Sequence, residues 1–459
     1  MITLLAIDWS SVGIQVAYLI LSLSILVILH EFGHYLPAKL FGCRVEKFFL
    51  FFDPWFAIAK KKVGETVYGI GWLPLGGYVK IAGMVDESMD KEALKLPPKE
   101  WEFRSKPAWQ RLIIMIGGVS VNVLVAFVLY AMILFIWGQE KLPTAQLKNG
   151  ITITDSLMYQ MGLKDGDNII AVNDKPIEYF DDATKKFLVG EKVTVLRDGK
   201  QVTFSLPENL LGELVEKKRS KTPLFMPRTG VYVQFIPDSS TAKIAGLQVD
   251  DKIVMVDSVP TLFYEQYLQQ ITKRKGDTAL LQVERKGSLV NIKAPINAEG
   301  QVGFLRYAAL QDLETIGLIK LEKRTYGFFE AIPAGINLAI ENLVFYVDQF
   351  KKIVSPKTGA YKGVGGFKSM GSIFPKEWGD WQTFWSITAF LSIVLAFMNL
   401  LPIPALDGGH VLFLLYEIIT RRKPSDKFLE YAQIVGMIIL FSLMLYANGN
   451  DWFGYGKGR

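Results

Sequence analysis

The chain has 459 residues, of which 50% are apolar and 21% charged, and its mean hydropathy is +0.24. The apolar content is high for a soluble protein of this length, and the charged fraction is too high for a chain embedded throughout in a membrane. The net charge of +6 is mild, so we interpret it as a signal of membrane topology and expect no nucleic-acid partner. A single cysteine excludes an internal disulfide.

Four uncharged apolar segments are long enough to span a bilayer, which requires a helix of about 20 residues. They occupy residues 12–29, with the helix expected to continue to about residue 38, and residues 112–137, 381–406 and 431–450. The N-terminal segment has neither a basic leader nor a small-residue cleavage site, so we expect it to be retained as a span. The sequence therefore predicts a multi-pass α-helical membrane protein with four transmembrane helices.

Basic residues at the ends of these segments predict their direction. The positive-inside rule places the loops that carry them in the cytoplasm, so both termini and residues 140–380 are expected outside. The first and third spans then run in the same direction, and their inner ends reach similar depth. The basic residues are Lys39, Arg44 and Lys47 after the first segment, Arg104, Lys106 and Arg111 before the second, and Arg421, Arg422, Lys423 and Lys427 between the third and fourth.

The stretch SILVILHEFGHYLPAKL, residues 24–40, places ionisable groups at the end of an apolar helix. His30 and His34 are four residues apart and share one face of a helix, and Glu31 lies beside the first of them. This H-E-x-x-H pattern is typical of zinc hydrolases, in which two imidazoles bind the ion and the carboxylate takes a proton from water at the metal. The string also occurs by chance, but ionisable groups within a membrane are costly and mark functional sites.

A catalytic zinc requires three protein ligands and an open position, and Asp407 is the best candidate for the third ligand. It lies in NLLPIPALDGGH, residues 399–410, among helix-breaking Pro and Gly at the inner end of the third span. His410, the remaining histidine of the three, is interpreted as a fourth ligand, a residue that supports a ligand, or a helix-start residue. We favour the last two, because three ligands leave the position that catalysis needs.

Cleavage of a membrane helix requires new partners for the peptide groups that unwinding frees, because the bilayer core holds no water. Residues 64–84 show strand-like alternation, are rich in glycine and follow the first span. We expect a β-hairpin that dips into the bilayer and pairs with the substrate at its free edge; an ordinary surface hairpin is the alternative. The glycines predicted to bind substrate are Gly69, Gly71, Gly76 and Gly77.

Two asparagines lie in apolar surroundings within the predicted spans. Asn399 comes shortly before Asp407 and could hydrogen-bond a substrate carbonyl group, or satisfy the broken helix that carries it. Asn122 ends the small-residue stretch GGVSVN in the second span, which predicts close helix packing or a hydrogen bond to a neighbouring element.

The expected outer segment contains a repeat. MGLKDGDNIIAVNDKPI at 161–177 matches AGLQVDDKIVMVDSVPT at 245–261, and residues 189–206 parallel residues 275–292. Two copies of one small β-rich domain explain this pattern, and the spacing suits the PDZ fold, which binds peptides by strand addition. The alternative is a pair of inert β domains that act as spacers and can still filter substrates by size.

A helical pattern follows the repeats at residues 332–354. Its apolar residues step by four and three, which predicts an amphipathic helix that lies on the outer membrane face or packs on the two β-rich domains. These residues are Ile336, Ile340, Leu343, Val347 and Phe350. Residues 361–375 form a Gly-rich linker to the third span.

In this order, the motifs resemble the site-2 intramembrane metalloproteases, family M50, specifically the bacterial regulator-of-sigma-E type with tandem periplasmic PDZ domains. The resemblance covers nearly the whole chain and rests on HEFGH at 30–34, PLGGYVK at 74–80, Gly118 with Asn122, the repeats, and NLLPIPALDGGH. It implies five units: residues 1–139 with two transmembrane helices and a membrane-reentrant β-hairpin, PDZ domains at 140–225 and 226–306, a helix and linker at 307–380, and two transmembrane helices at 381–459.

The resemblance also implies a chemistry and a setting. His30, His34 and Asp407 would hold one Zn²⁺, Glu31 would be the catalytic base, and Asn399 would help to hold the unwound substrate. The substrates would be single-span membrane proteins such as anti-sigma factors, already trimmed by an upstream site-1 protease, and remnant signal peptides, cleaved in regulated intramembrane proteolysis during a stress response. The protein would lie in the bacterial inner membrane, with its termini and PDZ domains periplasmic and its active site toward the cytoplasm.

Two rival functions fit parts of the pattern. A metal-binding receptor that captures unfolded outer-membrane tails without cleaving them would have no need of Glu31. A transporter with a metal in its path would have repeated membrane halves, and the first two spans do not resemble the last two. One stretch departs from the family pattern: residues 85–110 carry an insert-like segment, interpreted as a helical element beside the substrate gate, which leaves the access route open.

Overall fold

The computed structural model describes residues 8–74, 76–84, 97–216 and 223–454, so residues 85–96 of the insert-like segment lie outside the described residues. Thirteen α-helices lie within these ranges: α1 Trp9–Leu40, α2 Ala108–Trp137, α3 Ser156–Gln160, α4 Phe180–Val189, α5 Leu210–Glu216, α6 Thr241–Ala245, α7 Tyr264–Thr272, α8 Leu310–Thr315, α9 Phe328–Val354, α10 Phe367–Ser372, α11 Trp381–Leu400, α12 Asp407–Thr420 and α13 Asp426–Phe453.

The strands of the same ranges form several small sheets. They are β1 Val45–Leu50, β2 Phe52–Val63, β3 Thr66–Leu73, β4 Tyr78–Ile81, β5 Gln139–Lys141, β6 Ile151–Ile153, β7 Asn168–Val172, β8 Lys175–Pro176, β9 Lys192–Arg197, β10 Lys200–Ser205, β11 Phe225–Pro227, β12 Val231–Phe235, β13 Lys252–Val256, β14 Val259–Pro260, β15 Thr278–Arg285, β16 Ser288–Pro295, β17 Leu305–Arg306 and β18 Glu322–Arg324.

Five of the described helices are long and apolar enough to cross a membrane: α1, α2, α9, α11 and α13. Four of them lie at the predicted spans, and α1 runs without interruption through the histidine motif. Helix α11 ends at Leu400, before the predicted end at residue 406, because Pro402 and Pro404 cannot continue an α-helix. The fifth helix, α9, is the segment predicted to be amphipathic, so the structure has one more helix of spanning length than the predicted four.

Helix α9 packs lengthwise against α2 and α11, not flat on an outer surface. A Cβ atom at Gly335 would collide with the backbone of Ala131 in α2, and the Tyr346 and Phe397 rings meet edge to face with centroids 5.5 Å apart. The fully buried residues of α9 are small, and small residues let the backbones approach more closely. Two members of the predicted stripe also pack here, Leu343 on the apolar cluster shared with α2 and α11 and Phe350 on the Phe397 ring. The buried residues are Ala331, Gly335 and Ala339.

The segments before and after α9 contact the same end of the helix bundle. Before α9, strand β18 pairs with β5, which directly follows α2. After α9, the Asn450 side chain in the last turn of α13 donates to the Lys362 carbonyl oxygen, and the Gln15 side chain near the start of α1 donates to the Phe374 carbonyl oxygen. The chain is therefore on the same side of the bundle before α9 and again by residue 362.

A four-stranded sheet lies beside the C-terminal part of α1, with strand order β2-β3-β1-β4. Strand β1 is parallel to β3 and antiparallel to β4. The prediction of a hairpin at residues 64–84 is therefore wrong in its pairing, because β1 is inserted between the two expected strands. A hydrogen bond of 2.7 Å between the hydroxyl groups of Tyr35 and Tyr68 ties the sheet to α1.

Helices α1 and α2 cross at very short range where both carry glycine. A Cβ atom at Gly33 would collide with the Gly117 carbonyl group, and a Cβ atom at Gly117 would collide with the Gly33 carbonyl oxygen. Such small residues allow transmembrane helices to approach closely. The crossing brings the histidine face of α1 directly against α2.

The segment between α2 and α9 has two halves with the same order of elements: β7, β8, α4, β9 and β10 in the first, and β13, β14, α7, β15 and β16 in the second. Each half encloses its own buried apolar core. The same ion pair recurs in both. Arg197 binds Asp167 through two nitrogens at 2.7 Å, and Arg285 binds Asp251 at 2.7 and 2.6 Å.

Candidate metal centre

Among the described residues, the structure brings together His30, His34 and Asp407, with one possible ligand atom from each lying within 4.8 Å of the others. The two imidazole Nε2 atoms are 3.3 Å apart. The Asp407 Oδ2 atom lies 3.2 Å from the His30 Nε2 atom and 3.3 Å from the His34 Nε2 atom, and it is buried without a hydrogen-bond partner. The three atoms thus form a nearly equilateral triangle.

The triangle has the dimensions of one face of a zinc coordination tetrahedron. Zinc binds imidazole nitrogen and carboxylate oxygen at about 2.0–2.1 Å, which gives about 3.3–3.4 Å between any two ligand atoms of a regular tetrahedron. The observed edges of 3.2 and 3.3 Å agree with this requirement. Two imidazoles and one carboxylate are also a suitable donor set, and they leave a fourth position for chemistry. The residues present therefore fit a zinc ion.

Two separate parts of the chain place these side chains. Helix α1 is continuous through His30 and His34, so their spacing puts both rings on one side of it. Asp407 is the first residue of α12, and the turn before it contains Ala405 with a φ of +88°. A positive φ is uncommon for a residue with a Cβ atom. Here it belongs to the bend between α11 and α12 that carries the carboxylate to the imidazoles.

The His34 ring is oriented by α2. Its Nδ1 atom lies 2.8 Å from the Ile114 carbonyl oxygen. A carbonyl oxygen only accepts hydrogen bonds, so the ring carries its proton on Nδ1 and directs the Nε2 lone pair into the triangle. This is the hydrogen-bond pattern that orients metal-binding histidines.

The His30 ring lies between two asparagine side chains. The Asn122 amide is 3.2 Å from the Nδ1 atom, and the Asn399 amide nitrogen is 3.4 Å from the Nε2 atom. Asn122 is fully buried, and its Oδ1 atom has no hydrogen-bond partner. The oxygen and nitrogen of an amide can exchange places by a flip. With its oxygen toward Nδ1, Asn122 accepts a hydrogen bond from the Nδ1–H group, so the Nε2 lone pair is available to a metal ion.

Gly118 makes room for both imidazoles. A Cβ atom at this position would lie 2.7 Å from the His30 Cε1 atom and 2.8 Å from the His34 Cε1 atom. Any larger residue would displace the two rings. In the sequence, Gly118 was noted only as part of a family motif with Asn122. Its four-residue spacing from Asn122 puts both residues on one face of α2, and this spacing could have predicted that Gly118 lies at the metal centre.

A cavity of about 900 Å³ surrounds the triangle, and Glu31 and strand β4 are part of its lining. The sheet approaches α1 closely here, because a Cβ atom at Gly77 would lie 2.6 Å from the Val27 side chain and 3.5 Å from the Glu31 Cγ atom. Val79 of β4 lines the same cavity. The acid therefore lies between the ligands and an edge strand.

The other predicted site residues divide into two groups. Asn399, Gly76, Gly77 and His410 line the cavity, although His410 is not part of the ligand group found among the described residues. Gly69 and Gly71 are not among the lining residues, and Cβ atoms there would collide with the Phe49 ring and the Phe52 carbonyl group. These two glycines allow close packing within the sheet, which argues against the prediction that they bind substrate.

Several long apolar helices around a His-His-carboxylate centre, with an acid beside the first histidine, define a membrane-embedded metal hydrolase. Residues 18–443 match the profile of peptidase family M50, and the chain belongs to this family. The protein is accordingly a multi-pass membrane metalloprotease with zinc as its cofactor.

Curated relatives align along nearly their whole length. Cj1068 of Campylobacter jejuni, which carries a zinc-metalloprotease name, is 28% identical over 94% of this chain and 91% of its own. "Regulator of sigma-E protease RseP" of Escherichia coli is 27% identical over 95% of this chain and 98% of its own. "Regulator of sigma E protease" of Haemophilus influenzae is 24% identical over 94% and 97%. These comparisons confirm the predicted family, enzyme class and metal.

Proposed function

We propose that the protein is a site-2 type intramembrane endopeptidase in which His30, His34 and Asp407 hold the zinc and Glu31 is the catalytic base. The observation that carries the proposal is the triangle of ligand atoms with edges of 3.2 and 3.3 Å. Zinc in such a site polarises the scissile carbonyl group and makes water more acidic. The remaining tasks fall to the chain: to move a proton, to orient the ligands and to hold an unwound peptide.

Glu31 has the position that a general base requires. Its carboxylate lines the cavity next to the first ligand and is not part of the ligand group. It can therefore accept a proton from the attacking water and return it to the leaving amine. The residue lies on the side of the cavity formed by the sheet, since a Cβ atom at Gly77 would be 3.5 Å from the Glu31 Cγ atom.

Strand β4 is the proposed binding element for the substrate backbone. Among the described strands it pairs with β1 alone and forms an edge of the sheet, and its residues line the cavity. An unwound peptide added to its free edge would regain backbone hydrogen bonds within the membrane. Asn399 lies at the same cavity, with its amide nitrogen 3.4 Å from the His30 Nε2 atom, and is proposed to hold a substrate carbonyl group near the metal.

Both termini and the two outer halves are proposed to be periplasmic, with the metal centre toward the cytoplasmic side of the inner membrane. The basic residues that flank the spans support this orientation. The segments before and after α9 contact the same end of the bundle, which supports an even number of net crossings. The outer halves are proposed to be PDZ domains at residues 140–225 and 226–306, supported by their shared element order and recurring ion pair.

The proposed substrates are single-span membrane proteins whose outer domain another protease has already removed. Relatives from Escherichia coli and Haemophilus influenzae are named as regulators of sigma-E, which supports anti-sigma factors as one substrate class. Remnant signal peptides are proposed as a second class, because they also consist of a single membrane-spanning helix. In this proposal the outer halves stand over the membrane site and keep out substrates that are still bulky.

The proposal is tested by co-expression with tagged single-span substrates, with and without their outer domains. Glu31→Gln should reduce cleavage of the trimmed substrate by about 10²–10⁴-fold, the contribution of a general base, while the zinc content of the purified protein stays unchanged. Glu208→Gln, at an exposed position in the outer segment, is the matched control and should cleave normally. Undiminished cleavage by Glu31→Gln would refute the assignment of the base.

A further inference from the structure

Strands β2 and β3 carry an exposed aromatic cluster, formed by Trp55, Phe56 and Trp72. Trp55 is 91% exposed and Phe56 59% exposed. Both rings stack on the Trp72 ring, with centroids 6.1 and 5.9 Å apart. The Trp72 indole N–H donates to the Pro54 carbonyl oxygen at 2.9 Å. The cluster is therefore an ordered surface and not a set of unrelated exposed side chains.

The backbone at Trp55 is in the left-handed region, with a φ of +71°. A bulky residue in this region is strained, and the strain is normally offset by contacts of the same residue. Within the described residues the Trp55 ring stacks on Trp72, but this contact leaves the side chain 91% exposed. The conformation therefore points to a contact outside the chain, and tryptophan is the residue most typical of membrane–water interfaces.

The opposite end of β2 carries a lysine triplet, residues 60–62. All three lysines are exposed, and none of them forms an ion pair with a carboxylate in the described part of the chain. The strand rises about 3.3 Å per residue, so the triplet lies roughly 20 Å from Trp55 along the strand. The proposed topology places the segment between α1 and α2, which contains β2 and β3, on the cytoplasmic side, where the leaflet surface is anionic.

We propose that the β2–β3 hairpin docks on the cytoplasmic leaflet, with the aromatic cluster at the hydrocarbon boundary and the lysine triplet on anionic lipid headgroups. This surface is distinct from the metal centre, and its orientation rests on the topology given under the proposed function. It is connected to the centre, since Phe52, Asp53 and Pro54 line the cavity and directly precede Trp55. Docking would thus hold one wall of the cavity in place.

Thiol labelling in lipid nanodiscs tests the proposal. The full-length protein would carry Ile58→Cys, at a position that is 66% exposed, together with Cys43→Ser, which removes the single native thiol. A water-soluble maleimide should label Ile58→Cys at least about tenfold more slowly in nanodiscs of phosphatidylcholine with phosphatidylglycerol than in phosphatidylcholine alone, since each lysine strengthens anionic binding by roughly fivefold.

Two further variants separate specific docking from a general lipid effect. Lys60→Gln, Lys61→Gln and Lys62→Gln together should abolish the difference between the two lipids. Lys148→Gln, Lys175→Gln and Lys275→Gln, which change three exposed lysines of the outer segment, should leave the difference intact. Equal labelling rates in the two lipids, whether both fast or both slow, would overturn the proposal. Because the measurement does not depend on cleavage, its failure would leave the proteolytic assignment standing.

Discussion

His30 can present its Nε2 atom to a metal ion only if its Nδ1–H has an acceptor. Asn122 is placed to provide one, because its amide lies 3.2 Å from the Nδ1 atom and its Oδ1 atom is otherwise buried without a partner. Asn122 would then act through the ligand and not on the substrate, as a positioning residue. A carboxylate in its place would still accept the hydrogen bond from the His30 Nδ1–H group, whereas an apolar side chain of similar size would not.

We predict that Asn122→Leu lowers the affinity for zinc by about 10–100-fold, the usual cost of losing such a partner, and that Asn122→Asp retains it. Zinc content measured against increasing chelator concentration distinguishes the two variants without any assay of cleavage. Ser392→Ala, which removes a hydrogen bond to the Asn122 backbone carbonyl, controls for packing and should bind zinc normally. An aspartate variant as defective as the leucine variant would show that the amide does not act as an acceptor.

The ligand set could be predicted from sequence because each member carries its own signal. His30 and His34 have the spacing of one helical face, and Asp407 is an acid between helix breakers at matching depth. The roles of Gly118 and of the Asn122 oxygen could not be predicted from sequence, because both depend on how closely α1 and α2 approach. That distance is determined by packing, where a Cβ atom at Gly118 would meet both rings.

At the level of elements, sequence periodicity predicted strands better than it predicted their partners. Alternation marks residues 66–73 and 78–81 as strands, but their neighbour in the sheet is β1, which comes earlier in the chain. Nothing in the local pattern specifies a parallel pair. Helix α9 shows the same limit: its periodicity indicated a helix, but not that its fully buried residues would be small ones, because this depends on how closely α2 approaches.

The docking of the sheet against α1 gives a prediction of its own. Gly77→Ala should reduce cleavage on the order of a hundredfold, because the added Cβ atom would push β4 away from Val27 and Glu31 and a displacement of about 1 Å costs that much. Zinc content should not change. Gly13→Ala, where a Cβ atom meets nothing within 4 Å, is the control and should cleave normally. Full activity of Gly77→Ala would show that this close approach is not needed for cleavage.

At the level of the whole molecule, the segment between α2 and α9 is attached to the helix bundle by contacts beyond its two chain connections. Strand β18 pairs with β5 at the end of α2, and Lys362 in the linker forms an ion pair with Glu216 of α5. The sequence repeat predicted two similar units. It could not predict these attachments, which join residues far apart in the chain.

We predict that deleting residues 150–305 permits cleavage of single-span substrates that still carry a bulky outer domain, because the proposed size filter is then absent. Trimmed substrates should be cleaved in the wild type and the deletion variant alike, which controls for damage to the membrane part. The same deletion combined with Glu31→Gln should cleave neither substrate. If bulky substrates remain intact in an otherwise active deletion variant, the outer halves are not the filter.

The central claim is that one zinc ion is held by two imidazoles from α1 and one carboxylate from the start of α12. X-ray absorption at the zinc edge of purified Asp407→Cys protein, with Cys43→Ser to remove the native thiol, tests it most directly. The variant should show one sulfur atom at about 2.3 Å from zinc, whereas the Cys43→Ser parent should show only nitrogen and oxygen ligands at about 2.0–2.1 Å. Zinc bound in Asp407→Cys protein without a sulfur ligand would contradict the claim.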